Sequence, residues 1–161
     1  MLRFTKVTDY GLVLLTHLAS TPEAGLANAR GLAEATRLPA PMVTKICKLL
    51  VGHELLEARR GVGGGYALAR PAQRITVANI LEALEGPLAL TECAEPEGHG
   101  DGCEREGFCQ VREHTQHINA VIWKALGEVT LADLTGPVSP SDTFTFGAAL
   151  PLRIAATPVR G

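Results

Sequence analysis

The segment Arg59-Arg60-Gly61-Val62-Gly63-Gly64-Gly65-Tyr66 constrains this chain more than any other. Four of the five residues from 61 to 65 are glycine. Such a run cannot continue a helix, because each glycine carries backbone freedom that a helix would have to freeze. On one side stands Leu55-Leu56-Glu57-Ala58, on the other Ala67-Leu68-Ala69. Two short strand-like segments around a glycine tip read as a β-hairpin. A phosphate-binding loop would need Gly-Lys-Ser/Thr opening a helix, and Tyr66-Ala67-Leu68 and Pro71 follow instead.

Helical periodicity fills most of the rest. Thr8 or Asp9 is expected to cap a first helix that runs to about Ser20, apolar on most sides through Leu12, Leu14, Leu15 and Leu18. Asn28 caps a second helix, with Ala29, Leu32 and Ala33 inward. Leu38-Pro39-Ala40-Pro41 is a turn, and Pro41 suits the first turn of a third helix. There Val43, Ile46, Cys47 and Leu50 repeat at i, i+3, i+4, i+7. Thr44, Lys45 and Lys48 fall on the opposite side. Thr76 caps a fourth helix with Val77, Ile80, Leu81 and Leu84 inward, and Gly86-Pro87 stop it. A fifth spans about Val111 to Val129 with the stripe Ile118, Val121, Ile122, Ala125, Leu126, Val129, after which Leu131 and Leu134 add a short cap. Residues 136–161 hold four prolines and no period, and are expected to be a mostly disordered tail.

Three helices followed by a hairpin make the winged helix-turn-helix order. The fold class is mainly α with a small β-hairpin wing, plus a long dimerisation helix. The expected units are a DNA-binding domain at 1–85, a cysteine-bearing loop at 86–110, the dimerisation helix at 111–135 and the tail. Pro41, Thr44, Lys45 and Lys48 would face the major groove, since Lys donates to guanine and Thr reaches a base edge or a phosphate. Arg59 and Arg60, with Gly61, Gly63 and Gly64, would let the wing approach the backbone or the minor groove. Charge points the same way. Residues 1–75 hold 10 Lys+Arg and 5 Asp+Glu, whereas residues 76–161 hold 5 and 12. A basic first half suits an anionic partner. The bland alternative is a three-helix domain with a solvated lysine face.

With 46% apolar and 20% charged residues the chain is globular rather than disordered. No apolar run reaches the roughly 18 residues of a membrane span, and Met1-Leu2-Arg3-Phe4-Thr5-Lys6 lacks signal-peptide character. A cytoplasmic protein without membrane contact is therefore expected. There, cysteines serve as ligands, reactive thiols or core fillers rather than disulfides. Cys93, Cys103 and Cys109 lie within 17 residues, spaced C-x9-C-x5-C on a glycine-rich segment. Three thiolates can converge on an iron–sulfur cluster or on zinc. The close C-x2–4-C pair usual for structural zinc is absent, which favours a cluster. Cys47, inside an apolar stripe, is a core residue. No nucleophile–base pair or carboxylate dyad is visible, so no enzyme is expected. A zinc-stabilised DNA-binding protein and an iron–sulfur carrier that binds no DNA are the competing readings.

Several segments together resemble the IscR/NsrR family of bacterial regulators. They are Leu2–Leu18, Leu38-Pro39-Ala40-Pro41 with the third helix, Arg60–Tyr66 and the three-cysteine loop. Leu84–Cys93 and Gly127–Leu134 are similar to the branch that regulates the SUF iron–sulfur assembly operon. The resemblance covers about residues 1–135. It implies homodimers built on the long helix, through Ile118, Val121, Ile122, Ala125 and Leu126. It further implies a 2Fe–2S, or else a 4Fe–4S, cluster on Cys93, Cys103 and Cys109. Binding to double-stranded promoter DNA, expected to be that of a repressor, would change with cluster state. The first cysteine gap is longer than is usual in the family. Arg112 stands where one branch has a ligating histidine, whereas Asp9 matches the acidic fourth ligand that another branch takes from the partner subunit.

Overall fold

The structure, a computed structural model, describes residues 4–22, 25–87, 89, 109–137, 145–146 and 150–151. In chain order these form α1 (Lys6–Ser20), α2 (Ala29–Thr36), α3 (Ala40–Gly52), β1 (Leu56–Arg59), β2 (Gly65–Leu68), α4 (Val77–Glu85), α5 (Arg112–Glu128), β3 (Thr145–Phe146) and β4 (Leu150–Pro151). Short 3-10 turns occupy Ala72–Arg74 and Asp133–Thr135. The mainly α class with a small hairpin holds. Of the expected tail, the described part includes the antiparallel pairing of β3 with β4.

Each helix of the first half contributes a stripe to one core. Leu14 and Leu15 of α1, Leu32 of α2, Val43, Ile46 and Leu50 of α3, and Ile80 and Leu81 of α4 are all essentially inaccessible. Burying side chains of this size contributes about 1.5–3 kcal/mol each, and with few aromatics the branched aliphatics carry the packing. Leu84 is only partly buried and rests over Gly11, where an added Cβ would lie 2.3 Å from its Cδ1. The missing side chain lets α1 and α4 approach closely.

The start of α1 differs from expectation. The cap is Thr5, not Thr8 or Asp9. Thr5 Oγ1 accepts the Thr8 backbone N–H at 3.4 Å, which places Thr8 within the first turn, fully buried. The Thr5 N–H in turn donates to Glu85 Oε1 at 2.9 Å, and the Thr8 hydroxyl donates to the same oxygen. In a local capping box the third helical residue would return this bond. Here a carboxylate at the end of α4 supplies it. Asn28 caps α2 and Thr76 caps α4 as expected, the latter in a reciprocal box with Asn79.

β1 and β2 pair antiparallel with Leu56 opposite Leu68 and Arg59 opposite Gly65. The tip is closed by the Gly64 N–H donating to the Gly61 carbonyl at 2.9 Å. Gly61 and Gly63 have φ of +107° and +81°, a region L side chains avoid. The hairpin also has a third partner. Ala27 donates to the Tyr66 carbonyl at 3.0 Å and accepts the Tyr66 N–H at 2.8 Å. Ala27, two residues before α2, thus ties the wing to the helical core.

After α5 the chain returns to this core. The Val77 N–H donates to the Val129 carbonyl at 2.8 Å, and the Leu131 N–H donates to the Ile75 carbonyl at 2.7 Å. Leu131 becomes fully buried, whereas Leu134 stays exposed. Asp133 holds the turn by accepting from the Thr130 N–H and hydroxyl at 2.8 and 2.7 Å. Those bonds keep its carboxyl below the usual range. No helix among the described residues is long and apolar enough to cross a membrane.

Candidate nucleic-acid interface

α3 separates its two faces as its sequence requires. Val43, Ile46, Cys47 and Leu50 are fully buried. Pro41, Lys45 and Lys48 are exposed and Thr44 is half-buried. The Thr44 hydroxyl donates to the Ala40 carbonyl at 3.1 Å, a back-bond an external acceptor can replace. Pro41 stands in the first turn of α3, where its missing N–H costs nothing. The stop before α3 puts Arg37 in the left-handed region, with the Leu38 N–H donating to the Ala33 carbonyl at 3.1 Å.

The wing gives its residues different tasks. Arg59 is exposed and lies 3.4 Å from Glu57 Oε1, a solvent-screened pair. Arg60, Gly61, Val62 and Gly63 are exposed at the tip. Gly64 is needed by the hairpin itself, because a Cβ there would meet the Arg59 carbonyl oxygen at 2.3 Å. Gly65, which sequence reasoning left out of the site, is excluded from bearing a side chain by the Ala27 backbone at 2.6 Å. Its place at the end of the glycine run was the available signal. Arg37 was also missed, since its role in the turn shows only in the backbone angles.

Burial pushes the Cys47 thiol up to about 11, so it stays protonated and inert, as a core residue should. Cys109, half-buried and free of any disulfide, lies just before α5. Cys93 and Cys103 lie outside the described residues. Asp9 is exposed on α1, and so is Val13, one turn further along the helix. On α5 the expected stripe is only partly covered. Ile122, Ala125 and Leu126 are half-buried, while Ile118 and Val121 keep 51% and 42% of their surface.

Comparison with known proteins agrees with this architecture. The family model of Rrf2, described as iron-dependent transcriptional regulators, matches residues 4–137. The HTH-type transcriptional repressor NsrR of Streptomyces coelicolor (strain ATCC BAA-471 / A3(2) / M145) is 32% identical over 143 residues, 85% of this chain and 93% of that one. Among solved structures, IscR of T. potens superposes with a TM-score of 0.61 at 26% identity, covering 83% of this chain and 85% of that one. CymR, the global cysteine regulator of B. subtilis, gives 0.63 at 25% identity, covering 84% and 97%. The exposed face of α3, the wing beside it and these matches lead to one conclusion: the chain belongs to the Rrf2 family of winged-helix, DNA-binding transcriptional regulators.

Proposed function

We propose that this regulator is a homodimeric repressor that reads promoter DNA with α3 and the wing and responds to iron–sulfur status, with iron–sulfur assembly genes as its targets. The observation that carries the DNA reading is the row of exposed Pro41, Lys45 and Lys48 with half-buried Thr44, set over a fully buried apolar stripe. A helix so held presents one polar face at fixed orientation, as base readout requires. Arg59 and Arg60 with Gly61, Gly63 and Gly64 then meet the backbone or minor groove beside it.

The cluster reading draws on the family's description as iron-dependent and on the three-cysteine segment. Cys109 fits it, being a free thiol, and thiolates are the ligands that select iron–sulfur clusters. Cys93, Cys103 and Cys109 would hold the group, with Asp9 of the partner subunit as fourth ligand. When bound, a 2Fe–2S or 4Fe–4S cluster supplies a redox- and ligand-sensitive centre. A carboxylate is a harder, weaker partner for its iron than a thiolate, leaving one displaceable position. In this reading Asp9 and Val13 of one subunit face the other, and Ile118, Val121, Ile122, Ala125 and Leu126 close the dimer.

The test is anaerobic purification, followed by a visible spectrum, iron and sulfide counts and salt-dependent DNA retention. Colour with DNA binding that changes on cluster loss supports the proposal. Colourless protein with stoichiometric zinc points to the structural-metal alternative, and coloured protein that retains no DNA points to a carrier. Lys45→Ala should alter sequence preference by about 1–3 kcal/mol. Arg60→Ala should weaken binding evenly across sequences.

A further inference from the structure

The two helix stops that bracket α3 carry opposite charges in an uncommon backbone conformation. Arg37, at the end of α2, has φ 56° and ψ 31°. Glu54, just after α3, also has φ 56°. They are the two non-glycine residues at positive φ among the described residues. Both occupy the same kind of stop, because the Leu55 N–H donates to the Leu50 carbonyl at 2.9 Å just as Leu38 donates to Ala33. Glycine or asparagine fills such a position at least cost, whereas a longer L side chain there strains the backbone. At both stops, then, the chain carries a charge where the backbone favours a small residue.

The placement of those charges follows the direction of α3. Arg37 lies two residues before Pro39, the cap of α3, and Glu54 lies beyond the opposite end. A recognition helix meets base edges with its N-terminal residues, and phosphates flank the groove it enters. A cation at the entering end and an anion at the far end are the polarity that a polyanion approached in this direction selects. Arg37 is exposed. Unlike Arg30, bound to Glu34 at 3.0 Å, and Arg59, near Glu57, it has no ion pair among the described residues.

We propose that Arg37 is a DNA phosphate anchor, placed by the left-handed stop of α2 to grip the backbone beside the base pairs that α3 reads. The inference rests on the DNA-binding reading and adds to it a contact outside α3 and the wing. Phosphate contacts fix register and carry no sequence information, so the anchor acts on all duplexes alike.

Asparagine separates the roles, since it suits the left-handed conformation and removes the charge. Arg37→Asn, Arg37→Gly and, as the control at the other stop, Glu54→Asn are compared in the full chain. Affinity is measured on a mixed-sequence duplex and on the duplex the unaltered chain selects from a random pool, across a salt series, with thermal unfolding alongside. The expected result for both Arg37 variants is a several-fold loss of affinity on both duplexes. Their log-affinity against log-salt slope should shrink by about 0.9, the contribution of one phosphate, with unfolding temperatures at or above that of the unaltered chain. Glu54→Asn should retain or gain affinity. Unchanged affinity and slope in the Arg37 variants, a loss confined to the selected duplex, or an equal loss in Glu54→Asn would overturn the proposal. Failure of the unaltered chain to bind either duplex overturns the DNA reading along with it.

Discussion

The hydroxyl of Thr8, fully buried in the first turn of α1, donates to the carboxylate of Glu85, the last residue of α4. That oxygen also accepts the Thr5 N–H, so one side chain caps a helix that begins about eighty residues earlier. An anion at a helix N-terminus is stabilised by the helix dipole as well as by the bonds themselves. Glu85 is also the last α4 residue before the segment that bears Cys93 and Cys103. The start of α1, with Asp9 one residue beyond Thr8, is therefore fixed to the end of α4.

This link gives a pH dependence. Partial burial works to raise the Glu85 carboxyl, and the hydrogen bonds from Thr8 and Thr5 outweigh it, so it titrates below its ordinary value of 4.5. A group whose folded value is lowered adds stability that is complete above its unfolded value and lost as pH falls through the folded one. Unfolding temperature should thus fall as acid is added from about 4.5 downward, and Glu85→Gln should flatten that part of the profile. Because the carboxylate is largely exposed, the effect should be small. Thr8→Val, at a buried site, should cost about 0.5–1.5 kcal/mol at neutral pH. Identical acid profiles for the wild type and Glu85→Gln would remove the assignment.

Gly65→Ala should detach the wing from the core. The new methyl would meet backbone atoms of Ala27, which cannot rotate away as a side-chain tip can. Overpacking of this kind costs about 1–3 kcal/mol. Hydrogen exchange at the Ala27 and Tyr66 amides should quicken, and DNA affinity should fall, while the helical circular dichroism persists. Gly11→Ala is the contrasting case, because the atom in its way is the movable end of Leu84, and it should be tolerated far better.

The four cysteines should divide into two classes. Serine at Cys93, Cys103 or Cys109 removes a thiolate and should abolish or greatly weaken visible absorbance. Serine at Cys47 should leave the colour and cost about 1–3 kcal/mol for a hydroxyl in the apolar interior. Asp9→Asn should shift the spectrum or speed cluster loss while the cap of the helix stays in place, since that cap is Thr5. Full colour in all three loop variants would defeat the cluster assignment.

Val121→Glu should yield monomers with weakened operator binding. Ile118 and Val121 are large apolar side chains left in water by the single chain, and pairing α5 with its symmetry mate would cover them. The same pairing would place two recognition helices for a two-fold site. Light scattering of the variant decides the matter, and an undiminished dimer mass would rule out this face as the contact.

The local features of the chain were legible without coordinates. The stripe Val43, Ile46, Cys47, Leu50 dictated which side of α3 would be buried, and hence that Lys45 and Lys48 would be exposed. Asn28 and Thr76 announced two helix starts, and the glycine run announced the hairpin. Each of these is settled by groups only a few residues apart, so the information lies within a short window of sequence. What the tertiary structure alone decided are the contacts whose partners are remote in sequence. Thr5 became the cap in place of Thr8 or Asp9 because Glu85 arrives to complete the bonding. Ala27 joined the wing because β2 passes beside it, and Leu131 rather than Leu134 entered the core because residues 129–131 pair with 75–77. Propensity and periodicity describe how a segment folds on itself. Which distant group meets a hydrogen bond or fills a space depends on how the helices pack together, and that is fixed only when the whole core closes.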